Sequence, residues 1–141
     1  MVNLDAFCKE WYGLTCNFDL DPKYNGQCTQ LVKKWAQRNK WSIPSGGGED
    51  AYGYRNFRNG YKWIPNSIMA VPEAGDIVVF KTPPFQWVSG RVQPVGHVAI
   101  ARPSNRFHLL SFDENWIVKK KCKFVTHSWY KDVIGWLHWV G

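Results

Sequence analysis

The chain has 141 residues, of which 45% are hydrophobic and 21% charged, with a net charge of +7. That is the length and composition of one folded domain over residues 1–141, and it excludes a disordered chain. No apolar run approaches a membrane span, and the first residues, with Asp5, Lys9 and Glu10, lack the apolar stretch of a secretory signal. The positive balance favours an anionic partner, and nine Trp suggest aromatic surface put to use.

In chain order, Leu4, Phe7, Cys8 and Trp11 fall at helical spacing, so a short helix is expected from Leu4 to Tyr12. Residues 17–24 read as a loop. Cys28, Leu31, Val32, Trp35 and Ala36 then give the i, i+3, i+4, i+7, i+8 pattern of a helix with one face against a core. The stretch Pro44-Ser45-Gly46-Gly47-Gly48 breaks it off. A short helix is expected from Glu49 to Phe57, and Tyr61 to Met69 reads as irregular. From residue 70 strands take over: Ile77–Phe80, Gly96–Ala101, Arg106–Phe112, Ile117-Val118, Cys122–Thr126 and Val133–Val140, with a loop through Pro83-Pro84 to Gly90. Helices first and antiparallel strands second make an α+β fold, with N-terminal helices packed on a sheet of five to six strands.

Of the four cysteines, none forms a CxxC pair or a metal-finger spacing, which argues against structural zinc; without a secretory signal, free thiols are expected. Cys28 stands out because Asn25-Gly26 turns the chain into its helix and leaves it in the first turn. There the unpaired N–H groups and the helix dipole favour a thiolate, the reactive form. The alternative is a small core cysteine on an amphipathic helix.

His97 follows Gly96 at the head of an apolar strand. Alternation puts Ala99 on its side and Val98 and Ile100 on the other, which leaves room beside the imidazole. Asp113 and Asn115 lie two residues apart at the end of the next strand, so both are expected on one face, opposite His97 if the strands pair. An acceptor on one ring nitrogen leaves the other to meet a thiol. Alternatively, Asp113 and Asn115 are turn formers, and His108, His127 and His138 show that strand histidines are common here.

Gln27-Cys28 opening a helix, Pro72…Gly75-Asp76-Ile77-Val78-Val79-Phe80, Gly96-His97-Val98-Ala99-Ile100 and Asp113-x-Asn115-Trp116 occur in this order. Together they resemble the cysteine, histidine-dependent amidohydrolase/peptidase (CHAP) family, from about residue 20 to the C-terminus. The resemblance implies a papain-like fold and hydrolysis of amide bonds in bacterial peptidoglycan, as in bacteriophage endolysins. It makes Cys28 the nucleophile, His97 the base, Asp113 the acid (more often Glu) and Asn115 the accompanying amide. It implies a protein made in the bacterial host's cytoplasm and acting at the wall, with a further domain or subunit for wall binding where one is needed.

Some relatives also bind calcium upstream of the nucleophile. Here Asp19, Asp21, Lys23 and Asn25 alternate oxygen donors, but Lys23 and Gln30 replace expected ligands. A weak calcium site and an ordinary Asp-Pro loop both remain open. Trp63, Phe85, Trp87 and Trp116 are expected near the strand ends where a cleft opens. Three alternatives stand beside the hydrolase: a non-catalytic aromatic wall-binding module, a protease of ordinary proteins and a basic nucleic-acid binder. The last lacks a basic helix face or an aromatic RNA-binding signature.

Overall fold

The computed structural model describes residues 1–21, 26–46, 51–81, 96–116 and 119–141, and the backbone of 86–88 and 91–93. Helix α1 spans Leu4–Trp11 and starts where the Asn3 side chain accepts the Ala6 N–H at 2.9 Å. Helix α2 spans Cys28–Arg38 and buries Cys28, Leu31, Val32, Trp35 and Ala36, the stripe that its spacing predicts. A 3-10 helix follows at Ala51–Asn56, inside the stretch where a helix was expected; Glu49 and Asp50 lie outside the described residues.

Six strands build the main antiparallel sheet: β1 (Tyr61–Pro65), β2 (Ile77–Phe80), β5 (His97–Ala101), β6 (His108–Glu114), β7 (Cys122–Ser128) and β8 (Val133–Trp139). Their spatial order is β1-β8-β2-β5-β6-β7. A separate hairpin joins β3 (Gln86–Val88) to β4 (Arg91–Gln93). Two expectations are corrected here. Tyr61–Pro65 is an edge strand rather than irregular chain, and its Pro65 closes it where no further ladder bond is needed. The stretch expected as a loop carries the β3–β4 hairpin. The expected strand at Ile117-Val118 lies outside the described residues.

The sheet has two apolar faces because its central strands are apolar on both. Ile77, Val79, Val98, Ile100, Phe112 and Leu137 pack with Leu4, Phe7, Cys28, Leu31 and Trp35 from the helices. Val78, Phe80, Ala99, Ala101, Leu109 and Trp136 form the other core. Hence His97 alternates onto the side of Ala99, away from the helix-packed side. Trp35 anchors the helical layer. It is fully buried, packs edge-on against Phe7 and Trp41, and donates its indole N–H to the Gly75 carbonyl at 2.9 Å. Among the described residues no helix is long and apolar enough to cross a membrane.

Replacing Trp35 by Ala removes a large core side chain and orphans the Gly75 carbonyl. The expected loss is about 3–5 kcal/mol of stability, read from urea midpoints at constant slope; a loss below about 1 kcal/mol contradicts the packing role.

Candidate active site

Cys28 opens α2, with Gln27 at the cap position. Its thiol lies against β5, where the backbone N–H of Val98, the residue after His97, favours the thiolate together with the N–H of Thr29. Burial outweighs both. The residue is 2% exposed, and burial, aided by the nearby carboxyls of Glu114 and Asp113, pushes the thiol up to about 12. This corrects the expectation of a thiolate-favouring helix end: the first-turn donors act, but desolvation of a sulfur anion is the larger effect.

His97 enters β5 behind Gly96, whose φ of +73° gives the turn its sharp bend. A Cβ at Gly96 would meet the Phe80 carbonyl oxygen at 2.9 Å, so glycine also permits the close approach to β2. The His97 ring is fully buried, between Phe80 at 5.1 Å and Trp116 at 4.7 Å between centroids. Burial lowers its proton affinity, against the pull of Asp113, so it rests neutral near pH 7. A bulge at Val79/Phe80 in the β2–β8 pairing lies at this same corner.

Asp113, next to last in β6, brings the groups together. Its Oδ2 lies 2.7 Å from His97 Nε2 and 3.1 Å from His127 Nε2, and Ser111 donates its hydroxyl to Oδ1. Burial alone would raise the carboxyl, but the bonds from His127 and His97 overcome it and hold it down to about 2. An ionised carboxylate only accepts, so both imidazoles carry their proton on Nε2, and Nδ1 is the basic nitrogen of His97.

Asn115 is placed differently from expectation. Strand β6 ends at Glu114, and Asn115 turns to φ +67°, so the alternation meant to put it beside Asp113 stops one residue early. Its Oδ1 accepts the Lys120 N–H at 2.8 Å and shapes the turn into β7. Trp116 meets the expectation of an aromatic beside the site. Trp63 lies on β1, at the sheet edge remote from β6, with Arg58 over its ring. Phe85 and the side chain of Trp87 lie outside the described residues.

Four neighbours escaped the sequence reading as parts of the site. Ser111 shares Asp113's face by period two, a signal present but unread. His127 comes from β7, opposite Leu109, and reaches Asp113 along the same face of the sheet. Glu114 points to the helical side, fully buried. Its Oε2 accepts the Cys16 N–H at 2.6 Å, while Oε1 finds no partner among the described residues. Burial pushes it up to about 9, against the N–H groups of Cys16 and Leu31. Tyr54, from the 3-10 helix, buries a hydroxyl without a hydrogen-bond partner among the described residues, near enough to Cys28 for their charges to interact.

In the upstream loop, Asp19 Oδ2 accepts from Gln30 Nε2 at 2.7 Å and from Lys33 Nζ at 2.9 Å, while Gln30 Oε1 accepts the Asp19 N–H at 2.7 Å. The carboxylate of Asp19, one of the expected calcium ligands, is thus already met by an amide and an ammonium. Lys23 and Asn25 lie outside the described residues.

Glu114 gives a pH signature. The folded chain keeps its proton up to about 9, whereas an unfolded glutamate releases it near 4.3. Between those values the unfolded state binds fewer protons, so stability falls as pH rises, by up to about 1.4 kcal/mol per pH unit. The melting temperature is expected to drop from pH 5 to 8, and Glu114→Gln to flatten that drop; parallel curves for the two proteins contradict the buried neutral acid.

Comparison with known proteins follows the same residues. The chain matches the CHAP domain over residues 19–109. No curated protein sequence matches it. Among solved structures it is similar to the wild-type endolysin LysIME-EF1, with a TM-score of 0.74 and 20% identity over 99% of this chain and 65% of that one. It is also similar to Ly7917, with a TM-score of 0.58 and 19% identity over 81% of this chain and 53% of that one. Ly7917 with the hydrolysing product of MDP gives 0.58 and 20%, over 82% and 55%. The chain thus spans between half and two thirds of the length of these proteins. With the family match covering more than half of its residues, the chain belongs to the CHAP domain family.

Proposed function

We propose that the chain is a peptidoglycan hydrolase that cuts amide bonds of the bacterial cell wall through Cys28, as part of a phage lysin. The observation that carries this is the short bond between His97 Nε2 and the ionised Asp113, on the strand against which the Cys28 thiol lies. It leaves Nδ1 as the basic nitrogen of His97.

Thiol and imidazole both rest neutral, so the proton moves during attack. His97 Nδ1 takes the Cys28 proton, and sulfur adds to the amide carbon. The Cys28 N–H, at the start of the helix, donates to the developing oxyanion. Tyr54 is our candidate for the second donor, since its buried hydroxyl lacks a hydrogen-bond partner among the described residues. The imidazolium, stabilised by Asp113, returns the proton to the leaving amine, and water then hydrolyses the thioester. We place Asn115 at the rim as a turn residue that fixes the end of the Asp113 strand. No metal enters these steps, and Lys33 serves the Asp19 loop as its cation.

Cys28→Ala is expected to abolish solubilisation of purified peptidoglycan, and Asp113→Asn to lower it roughly 100-fold or more while the fold survives by circular dichroism. Mass spectrometry of the digest separates the two products of one mechanism. Either cut releases one amine and one carboxyl: free lactyl carboxyls on the glycan with free L-alanine amines on the stem indicate an N-acetylmuramoyl-L-alanine amidase, and new amine and carboxyl ends within the stem or cross-bridge, with the lactyl amide intact, indicate an endopeptidase. Full activity of the Cys28→Ala variant overturns the assignment. EDTA is expected to leave the rate unchanged, and a rate restored only by calcium contradicts the Lys33 reading.

A further inference from the structure

We propose that His127 is a positioning residue for the reaction: its imidazole, by donating to Asp113, holds the carboxylate where it makes His97 a usable base. This rests on the Cys28–His97–Asp113 reading above. The carboxylate of Asp113 is gripped on both oxygens, by Ser111 on Oδ1 and by two imidazoles on Oδ2. Rotation about its last torsion would break bonds on both sides at once. His127 is itself buried and fixed, with its ring 4.6 Å from Phe80 and 4.9 Å from Trp116. Those are the two rings that flank His97, so one aromatic clamp sets both imidazoles against one oxygen.

The chemistry follows from sharing that oxygen. A carboxylate that already accepts one N–H is a weaker acceptor for the next, so His127 moderates the pull of Asp113 on His97. Moderation matters because His97 must first accept the thiol proton and then surrender it to the leaving amine. Without the second donor, Asp113 binds the imidazolium more tightly and is freer to swing. Among the described residues, the titratable groups that act on His97 are Asp113 from β6 and His127 from β7, while Asp113 and Glu114 from β6 act on Cys28 of α2; Phe80 and Trp116 bring no charge. The interaction with His127 lowers the proton affinity of His97, so removing that imidazole while Asp113 keeps its place raises it.

His127→Phe keeps a ring between Phe80 and Trp116 and removes the donor, whereas His127→Gln keeps an N–H. With purified peptidoglycan as substrate, the phenylalanine variant is expected to lose tenfold or more in maximal rate with a half-saturating concentration within twofold of the parent. The acid limb of its rate profile is expected to move to higher pH, and the glutamine variant to recover part of the rate. A phenylalanine variant with the parent's rate and acid limb, or a glutamine variant no better than it, overturns the role. The parent protein supplies a measurement independent of variant folding. Nitrogen-15 NMR is expected to show His127 as the Nε2–H tautomer with a downfield proton, and an Nδ1–H tautomer overturns the proposal. Cys28→Ala is assayed alongside. Activity there removes the catalytic reading itself, whereas an inactive Cys28→Ala beside an unimpaired His127→Phe removes only the positioning role.

Discussion

A carboxylate fully removed from water is costly, by several kcal/mol even after the protein relaxes around it, unless donors replace the water. Asp113 meets that condition with Ser111, His97 and His127, which this corner of the sheet brings together. Strand β6 alternates Ser111 and Asp113 to one face and Phe112 and Glu114 to the other, so one strand serves the polar cluster and the helical core at once. The two neighbouring acids end in opposite states. Asp113, fed by imidazole N–H groups, is held down to about 2; Glu114, fed only by backbone N–H groups, is pushed up to about 9. Their environments separate two carboxyls of similar intrinsic acidity, the pattern by which active sites divide charge between adjacent acids.

The same competition sets the state of the Cys28 thiol. A helix start offers about half a positive charge and free N–H groups, worth at most a couple of kcal/mol. Enclosing the sulfur outweighs that, and two carboxyls nearby add to the opposition. A thiol that rests protonated places the burden of activation on His97, and therefore on whatever fixes and tunes His97. In the proposed mechanism, Asp113 and its other partners therefore bear more on rate than the helix end does.

Much of the fold was legible because the relevant signals are local. The stripe Cys28-Leu31-Val32-Trp35-Ala36 specifies α2, and the runs Ile77–Phe80 and His97–Ala101 specify buried central strands. Tyr61–Pro65 hid as a strand because its aromatic, mixed residues show no clean alternation and its pairing with β8 is remote in sequence. At the site, the bond between His97 and Asp113 followed from alternation plus adjacent strands. Asn115 did not follow, because a single positive φ ends the period-two rule. His127 was invisible for a different reason. Its meeting with Asp113 depends on the β6–β7 register and on a reach along the sheet, which no sequence spacing encodes. The depressed thiol expected at the helix end failed because position in a helix can be read from a sequence, but what packs over it cannot.

The strand that carries Asp113 is fixed from a further direction. Residues 13–16, upstream of Cys28 and α2, bind the ends of β6 and β7 and Lys120 between them. Gly13 N–H and the Leu14 carbonyl pair with the backbone of Cys122 at 2.8 and 2.9 Å, the Thr15 hydroxyl donates to the Lys120 carbonyl at 2.7 Å, and Cys16 N–H meets Glu114 at 2.6 Å. At Gly26, just before α2, a Cβ would lie 2.5 Å from that of Lys120, so the approach to α2 rests on the same turn. The turn is thereby connected on one side to Cys28 and on the other to Asp113 and His127. Buried hydrogen bonds tolerate little displacement before they are lost. A segment outside the sheet thus ties the residues before α2 to the end of the strand that carries Asp113.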